Sequence, residues 1–146
     1  MFTIVANHKL FHSIHQLSRF LTKEANKALQ PFGLFSAQWS VIYVLKMKGS
    51  LTQKELCDYL SVEAPPLTRN VQRLVKEGYV RQVPGKDKRM KFIELTEKAQ
   101  AEFPVWEKAV MEKNQLLLSD FPMDSQEKLE ELISDWLKNR VVSEDE

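Results

Sequence analysis

The sequence of 146 residues contains one cysteine, Cys57, and no long apolar run. A single thiol excludes an intramolecular disulfide framework and is typical of proteins in a reducing compartment. The longest uninterrupted aliphatic and aromatic run is 41–45, whereas a membrane span needs roughly 18 apolar residues. Residues 1–10 also lack a basic leader followed by an apolar stretch, so we expect no secretory signal. These absences predict a cytoplasmic protein that has no membrane partner.

Glycine is also scarce, with four residues in the chain. None of them forms a phosphate-binding loop pattern, and we find no nucleophile motif and no metal-ligand pair of complete spacing. We therefore expect a protein that is not an enzyme and needs no cofactor. With 43% hydrophobic and 28% charged residues, the composition is that of a globular protein. The length allows one compact unit, or one small domain with arms that pack on a partner.

The net charge of +1 hides an uneven distribution of charged residues. Residues 64–91 contain eight basic and two acidic residues and carry a charge of +6. Residues 1–63 carry +3, and residues 92–146 carry −8. Phosphate binding depends on the local patch, because salt screens exposed charges beyond about 8–10 Å. A solvated charged surface is the simplest explanation of such a run. The pattern of residues within it must therefore show whether the run binds nucleic acid.

Helical periodicity predicts two helices in the first third of the chain. Over residues 9–29, apolar side chains recur at spacings of three and four, namely Leu10, Ile14, Leu17, Leu21, Ala25 and Ala28. Ser36 can cap a second helix that ends near Lys48. Its predicted buried face comprises Phe35, Trp39, Ile42 and Leu45 or Met47.

A helix-turn-helix followed by a hairpin is predicted next. Thr52 and Glu55 form a capping-box pattern that starts a helix over residues 53–60. A second short helix begins near Pro65 and ends before Gly78, which is suited to the position after a helix. Two strand-like segments, 79–83 and 90–95, flank a basic tip that contains a Pro-Gly turn.

Two longer helices are predicted after the hairpin. Thr96 can cap the first, which runs to about residue 118 and should bend at Pro104. The second begins near Asp124 and carries apolar residues on one face, namely Leu129, Leu132, Ile133, Trp136 and Leu137. We therefore predict a mainly α fold of the α+β class. It is divided into an N-terminal dimerisation helix over 1–34, a winged helix-turn-helix over 35–96 and C-terminal dimerisation helices over 97–146.

This order of elements predicts a DNA-binding protein. A second helix with polar and basic residues on its outer face meets the requirements of a major-groove reader. The candidate contacts of this recognition helix are Ala64, Pro66, Thr68, Arg69 and Arg73. At the hairpin tip, Arg89 is placed to enter a minor groove, and Lys86 and Lys88 to neutralise phosphates. Two such helices read successive major-groove faces only if a dimer holds them about 34–36 Å apart.

The motifs in this region resemble those of the MarR family of transcriptional regulators. The resemblance rests on 51–56 (LTQKEL), 67–74 (LTRNVQRL), 77–81 (EGYVR) and 87–89 (DKR) leading into 95–98 (LTEK). It extends over essentially the whole chain, because two helices precede the motifs and two follow them. The sequence departs from the family pattern at Pro66, where a hydroxyl residue is common, and at Asn70, where an apolar residue is usual.

The resemblance implies a homodimer that binds a pseudo-palindromic operator on double-stranded DNA and acts as a repressor, released by a small ligand. It implies that Thr68 and Arg69 contact DNA and that Arg89 is the wing-tip arginine. Asp87 would then orient that arginine or tie the wing to the body. Aromatic residues that could line an effector pocket, or simply pack in the core, are Phe11, Phe20, Phe32, Trp39 and Tyr43.

Two alternatives compete with a DNA-binding regulator. A winged helix can serve as a protein-interaction module instead. His8, His12 and His15 share one side of the first helix and could start a metal-responsive site, although zinc needs three or four ligands and one helix normally supplies two. A sensing role for Cys57 would need an accessible thiolate, which its position beside the core disfavours.

Overall fold

The computed structural model describes residues 4–87 and 89–141, with the side chains of Ile4 and Val141 left out. The elements in chain order are α1 (Ile4–Leu29), α2 (Ser36–Lys48), β1 (Leu51–Thr52), α3 (Gln53–Leu60), α4 (Ala64–Lys76), β2 (Val80–Pro84), β3 (Lys91–Leu95), α5 (Glu97–Leu117) and α6 (Met123–Val141). A 3-10 turn, Gln30–Phe32, lies between α1 and α2. The predicted class is confirmed, since helices dominate and the described strands form one small antiparallel sheet.

The sheet has three strands in the order β1-β3-β2, where the sequence predicted only a hairpin. β2 and β3 pair from Val80 opposite Leu95 to Pro84 opposite Lys91. Leu51 pairs with Ile93 on the other side of β3. Proline is tolerated in β2 because this strand lies at the sheet edge.

Local signals set the ends of the helix-turn-helix as predicted. The Thr52 hydroxyl accepts the Glu55 backbone N–H at 3.1 Å, and the Glu55 carboxylate accepts the Thr52 N–H at 3.2 Å. Gly78 follows α4 with a φ of 82°, a left-handed conformation that disfavours a side chain. The recognition-helix candidates therefore lie on α4, and the basic tip lies between β2 and β3.

The prediction for the start of α2 was partly wrong. Ser36 is the first helical residue and not the cap; its backbone N–H donates to Asn26 Oδ1 of α1 at 2.7 Å. The preceding Phe35, expected in the core, is 49% exposed, and Met47 is 63% exposed. Ile42 and Leu45 are buried as predicted. The N-terminus of α2 is thus held by α1, a tertiary contact that periodicity does not reveal.

One core joins the winged helix to the flanking helices. It includes Leu29 from α1, Leu56 from α3, Leu74 from α4, Ile93 from β3 and Trp106 from α5, each at most 1% exposed. The core therefore crosses the boundaries predicted at residues 34 and 96. An ion pair between Glu24 and Lys113 at 3.1 Å also links α1 to α5.

Other apolar side chains of the flanking helices stay uncovered. On α1, Leu10, Ile14, Leu17 and Leu21 are each at least 40% exposed. On α6, the predicted apolar face of Leu129, Leu132, Ile133, Trp136 and Leu137 is also uncovered, with Trp136 43% exposed. No helix in the described ranges is both long and apolar enough to cross a membrane.

Candidate nucleic-acid interface

The first turns of α4 form an exposed edge with one internally fixed hydroxyl. Ala64 and Pro66 are exposed, and the Ala64 carbonyl accepts the Thr68 hydroxyl at 2.8 Å. The Gln53 side-chain amide, at the start of α3, donates to Thr68 Oγ1 at 2.6 Å. Buried Leu67 anchors this turn to the core. The two helices are therefore joined by a side-chain hydrogen bond at the face that would meet DNA.

Arg69 and Arg73 lie one turn apart on α4 but in different environments. Arg69 is exposed and has no hydrogen-bond or ion-pair partner among the described residues. The Arg73 Nε lies 3.2 Å from Glu77 Oε1, and its guanidinium carbon lies 5.1 Å from the Phe35 ring centroid. Arg69 is thus available for an external ligand, whereas Arg73 already links α4 to the start of α2.

The wing tip is shaped by backbone hydrogen bonds. The Asp87 carboxylate accepts the Arg89 backbone N–H at 3.1 Å, and the Asp87 carbonyl accepts the Met90 N–H at 2.9 Å. The Gly85 N–H closes the turn on the Met90 carbonyl at 2.8 Å. Asp87 therefore orients the chain at Arg89, whose side chain is exposed like that of Lys86. Lys88, the other predicted wing residue, lies outside the described residues.

The base of the wing is fixed by Glu94. Its carboxylate lies 2.7 Å from the Arg81 Nε directly across the strands, and it accepts the Ser50 hydroxyl at 3.0 Å. The hydrogen bonds from Arg81 and Ser50 lower the pKa of Glu94 from its usual value. Arg81, one of the basic residues of the stretch 64–91, thus positions the wing.

The end of α4 is tied to α5 by contacts of Thr96 and Lys98 that the sequence did not predict. Lys98 Nζ donates to the Glu77 carbonyl at 2.8 Å and lies 4.6 Å from the Tyr79 ring centroid. The Thr96 hydroxyl, which caps α5, also donates to the Gly78 carbonyl at 2.6 Å. A cation at a helix C-terminus satisfies carbonyls that have no intrahelical partner. The Leu-Thr-x-Lys pattern that begins at the last residue of β3 was the available signal.

The aromatic candidates for an effector pocket lie in different places. Phe11 lies against Trp136 of α6, with ring centroids 6.0 Å apart, and Phe20 is 48% exposed on α1. Phe32 and Trp39 pack against the core; the Trp39 ring stacks on Phe103 with centroids 5.3 Å apart, and the Tyr43 ring centroid lies 6.0 Å away from it. A groove of about 420 Å³ lies instead between α1, α5 and α6. It is lined by Ile14, Leu17, Ser18, Leu21, Thr22, Ala25, Ser36, Asn114, Leu117 and Ile133.

The three histidines lie on α1 and the cysteine lies on α3. His8, His12 and His15 are exposed on α1, and within the described part of the chain no group of three His, Cys, Asp or Glu side chains could hold a metal ion. Cys57 is half-buried against the core. Burial and the neighbouring Asp58 raise the pKa of the Cys57 thiol, which disfavours the reactive thiolate.

Known proteins share both the sequence pattern and the fold. A sequence model of the MarR family matches residues 32–90. YwoH of Bacillus subtilis, an uncharacterized HTH-type transcriptional regulator, is 40% identical over 90% of this chain and 96% of its own length. A MarR transcriptional regulator from Methanosarcina mazei Go1 gives a TM-score of 0.81 at 27% identity, covering 90% of this chain and 96% of that one. A mutant MarR from E. coli in complex with operator DNA gives a TM-score of 0.80 at 29% identity, covering 88% of this chain and 94% of that one.

Proposed function

Because the chain belongs to the MarR family of winged-helix transcriptional regulators, whose members are not enzymes, we propose that it represses transcription as a sequence-specific, homodimeric DNA-binding protein. The proposal is carried by α4, which presents Arg69, exposed and without a partner among the described residues, beside Thr68 within the basic stretch 64–91. An arginine in this setting can donate two hydrogen bonds to a guanine in the major groove. The similar fold of a mutant MarR from E. coli that was solved in complex with operator DNA supports DNA binding by this chain.

The two parts of the interface have different roles in this proposal. Arg69 reads bases, whereas Lys86 and Arg89 at the wing tip contact phosphates and an adjacent minor groove. Arg73 positions α4 through Glu77 and Phe35, and so contributes indirectly. Specificity is therefore concentrated at the first turns of α4, and salt-dependent affinity is shared with the wing.

Binding can be tested by fluorescence anisotropy on an operator obtained by in vitro selection. Arg69→Ala should weaken binding about 5- to 150-fold, which corresponds to roughly 1–3 kcal/mol, and relax specificity at one base position. Arg89→Ala should weaken binding and reduce the slope of log affinity against log salt concentration by about one. Lys108→Ala, an exposed lysine on α5, is the matched control and should bind as the wild type. Unchanged affinity in both arginine variants would rule out this interface. Absence of any preference over random DNA would favour the protein-interaction alternative.

The dimer is proposed to form through α1, α5 and α6. Uncovered apolar side chains on α1 and α6, such as Leu10, Leu132 and Trp136, are typical of an association surface. Light scattering should give the mass of two 17.0 kDa chains for the wild type and the mass of one chain for Leu132→Lys. Met47→Lys, at an equally exposed apolar residue on α2, should stay dimeric. A monomeric wild type that still binds the palindromic operator tightly would contradict the dimer.

Release by a small ligand is proposed to use the groove between α1, α5 and α6. Its volume of about 420 Å³ and its mixture of apolar and hydroxyl side chains suit a small, weakly polar molecule. Anilinonaphthalene sulfonate is a practical probe and should weaken operator binding by the wild type. Leu21→Trp should fill the groove and abolish this effect, whereas Met47→Trp should not. Equal responses in all three proteins would place the effector elsewhere.

A further inference from the structure

The hydroxyl of Thr68 has its proton and one lone pair already engaged inside the protein. A threonine hydroxyl offers one donor and two acceptor positions. The donor is used by the Ala64 carbonyl, four residues earlier on α4, at 2.8 Å. One acceptor position is used by the Gln53 amide nitrogen at 2.6 Å. What stays available to an external group is one lone pair and the methyl group.

We propose that the Ala64 carbonyl, which takes the proton, and Gln53, which occupies one lone pair and positions the oxygen, together make Thr68 a hydrogen-bond acceptor only toward DNA. This inference rests on the proposed placement of α4 in the major groove. There, adenine N6 and cytosine N4 carry hydrogen-bond donors, whereas guanine O6 and N7 and thymine O4 are acceptors. A Thr68 that cannot donate selects adenine or cytosine at its contact position and gains nothing from a phosphate oxygen or a guanine.

The surrounding structure holds Gln53 where this role requires it. Gln53 is the first residue of α3, directly after the cap in which Thr52 and Glu55 satisfy each other's backbone N–H groups. Its side chain is half-buried between α3 and α4. Because the Thr68 proton points to the Ala64 carbonyl, only a donor can lie 2.6 Å from the same oxygen, so Gln53 must present its amide nitrogen.

The neighbouring Arg69 gives the edge a second, opposite polarity. A guanidinium has donors only and suits the acceptors of guanine. Thr68 thus offers one hydrogen-bond acceptor, and Arg69, the next residue of α4, offers several donors. Each recognition helix should therefore select adenine or cytosine through Thr68 and guanine through Arg69.

The inference is tested by in vitro selection and base-analogue binding. The wild type should select adenine or cytosine at one position of each half-site, and Thr68→Val, which removes the acceptor at nearly constant size, should lose that preference. Gln53→Met should weaken this preference without reversing it, because the Ala64 carbonyl still holds the proton while the hydroxyl oxygen loses the contact that positions it against α3. Gln115→Met, an exposed glutamine on α5, is the matched control and should select as the wild type. Thermal unfolding verifies that each variant is folded.

Replacing the selected adenine by purine, which lacks the N6 amino group, gives an independent measurement. If cytosine is selected, its N4 amino group is removed instead. The wild type should lose about 2- to 12-fold in affinity, the value of one hydrogen bond, and Thr68→Val should lose none. Selection of guanine or thymine at the position that Thr68→Val affects would overturn the inference while leaving DNA reading by α4 intact. The inference would also be overturned if the base analogue weakened binding equally in the wild type and in Thr68→Val. A wild type that selects no sequence would refute both the inference and the proposed function.

Discussion

Gly85, at the start of the wing turn, has no room for a side chain. A methyl group there would lie 2.6 Å from Phe92 Cε2 and 3.2 Å from the Met90 carbonyl oxygen. Phe92 is half-buried in β3, where it pairs with Val83 on one side and Thr52 on the other, and its ring has to move before the methyl group fits. We predict that Gly85→Ala destabilises the fold by about 1–3 kcal/mol, the usual cost of overpacking. In thermal unfolding this corresponds to a Tm lower by roughly 2–12 °C.

The same substitution should change DNA binding in a characteristic way. A displaced Phe92 moves the turn that carries Lys86 and Arg89, and both lose their register with the DNA backbone. Each phosphate contact contributes about 0.9 to the slope of log affinity against log salt. Gly85→Ala should therefore lower that slope by about 1 to 2 between 50 and 200 mM salt, while base preference at the α4 positions stays as in the wild type.

A second substitution separates the clash from other effects. Phe92→Leu removes the ring atoms that the new methyl group would meet, so Gly85→Ala with Phe92→Leu should be more stable than Gly85→Ala with Phe92 intact. Phe92→Leu by itself measures the cost of losing the ring. The reasoning is refuted if Gly85→Ala unfolds and binds as the wild type does, or if the double variant is no more stable than Gly85→Ala.

Three further predictions concern single side chains. Thr52→Ala should lower the free energy of unfolding by about 1 kcal/mol by removing the α3 cap, whereas Thr52→Ser should retain it; equal denaturation curves would contradict this. The lowered pKa of Glu94 means that its charged form stabilises the fold above the usual value of 4.5 and that this contribution is lost as pH falls through the lowered value. Glu94→Gln should therefore flatten the acid side of the stability curve, and the exposed Glu112→Gln should not. Because the pKa of Cys57 is raised, its maleimide reaction at pH 7 should be slower than that of a free thiol and should accelerate in urea.

The features that the sequence predicted correctly depend on residues close together in the chain. Thr52 and Glu55 are three residues apart, Thr96 caps the helix that it precedes, and Gly78 ends the helix that it follows. The exposed Arg69 follows from helical spacing against buried Leu67 and Val71. Such signals require no knowledge of the rest of the fold, which is why α3, α4 and the start of α5 were placed well.

The features that the sequence missed depend on contacts between distant residues. β1 exists because Leu51 pairs with Ile93, and two residues give no periodicity to detect. Phe35 is exposed because it lies beneath the Arg73 guanidinium instead of entering the core. Trp106 was not predicted as a core residue, yet it is 1% exposed and meets Tyr79 edge-on at 4.8 Å. Periodicity gives the apolar face of a helix and not the partner that covers it.

The contacts of α4 limit how its DNA binding can be regulated. Its start is held by Gln53, its middle by Phe35 through Arg73, and its end by Lys98 through the Glu77 carbonyl. A helix fixed at three points to α3, α2 and α5 moves with the body of the protein, so regulation by local unfolding of α4 would have to break all three contacts. In the proposed dimer, the cheaper change is a shift of one winged helix relative to the other, away from the roughly 34–36 Å spacing of successive major grooves. The proposed effector groove is lined by Ser36, the residue after Phe35, and so adjoins one of these three contacts.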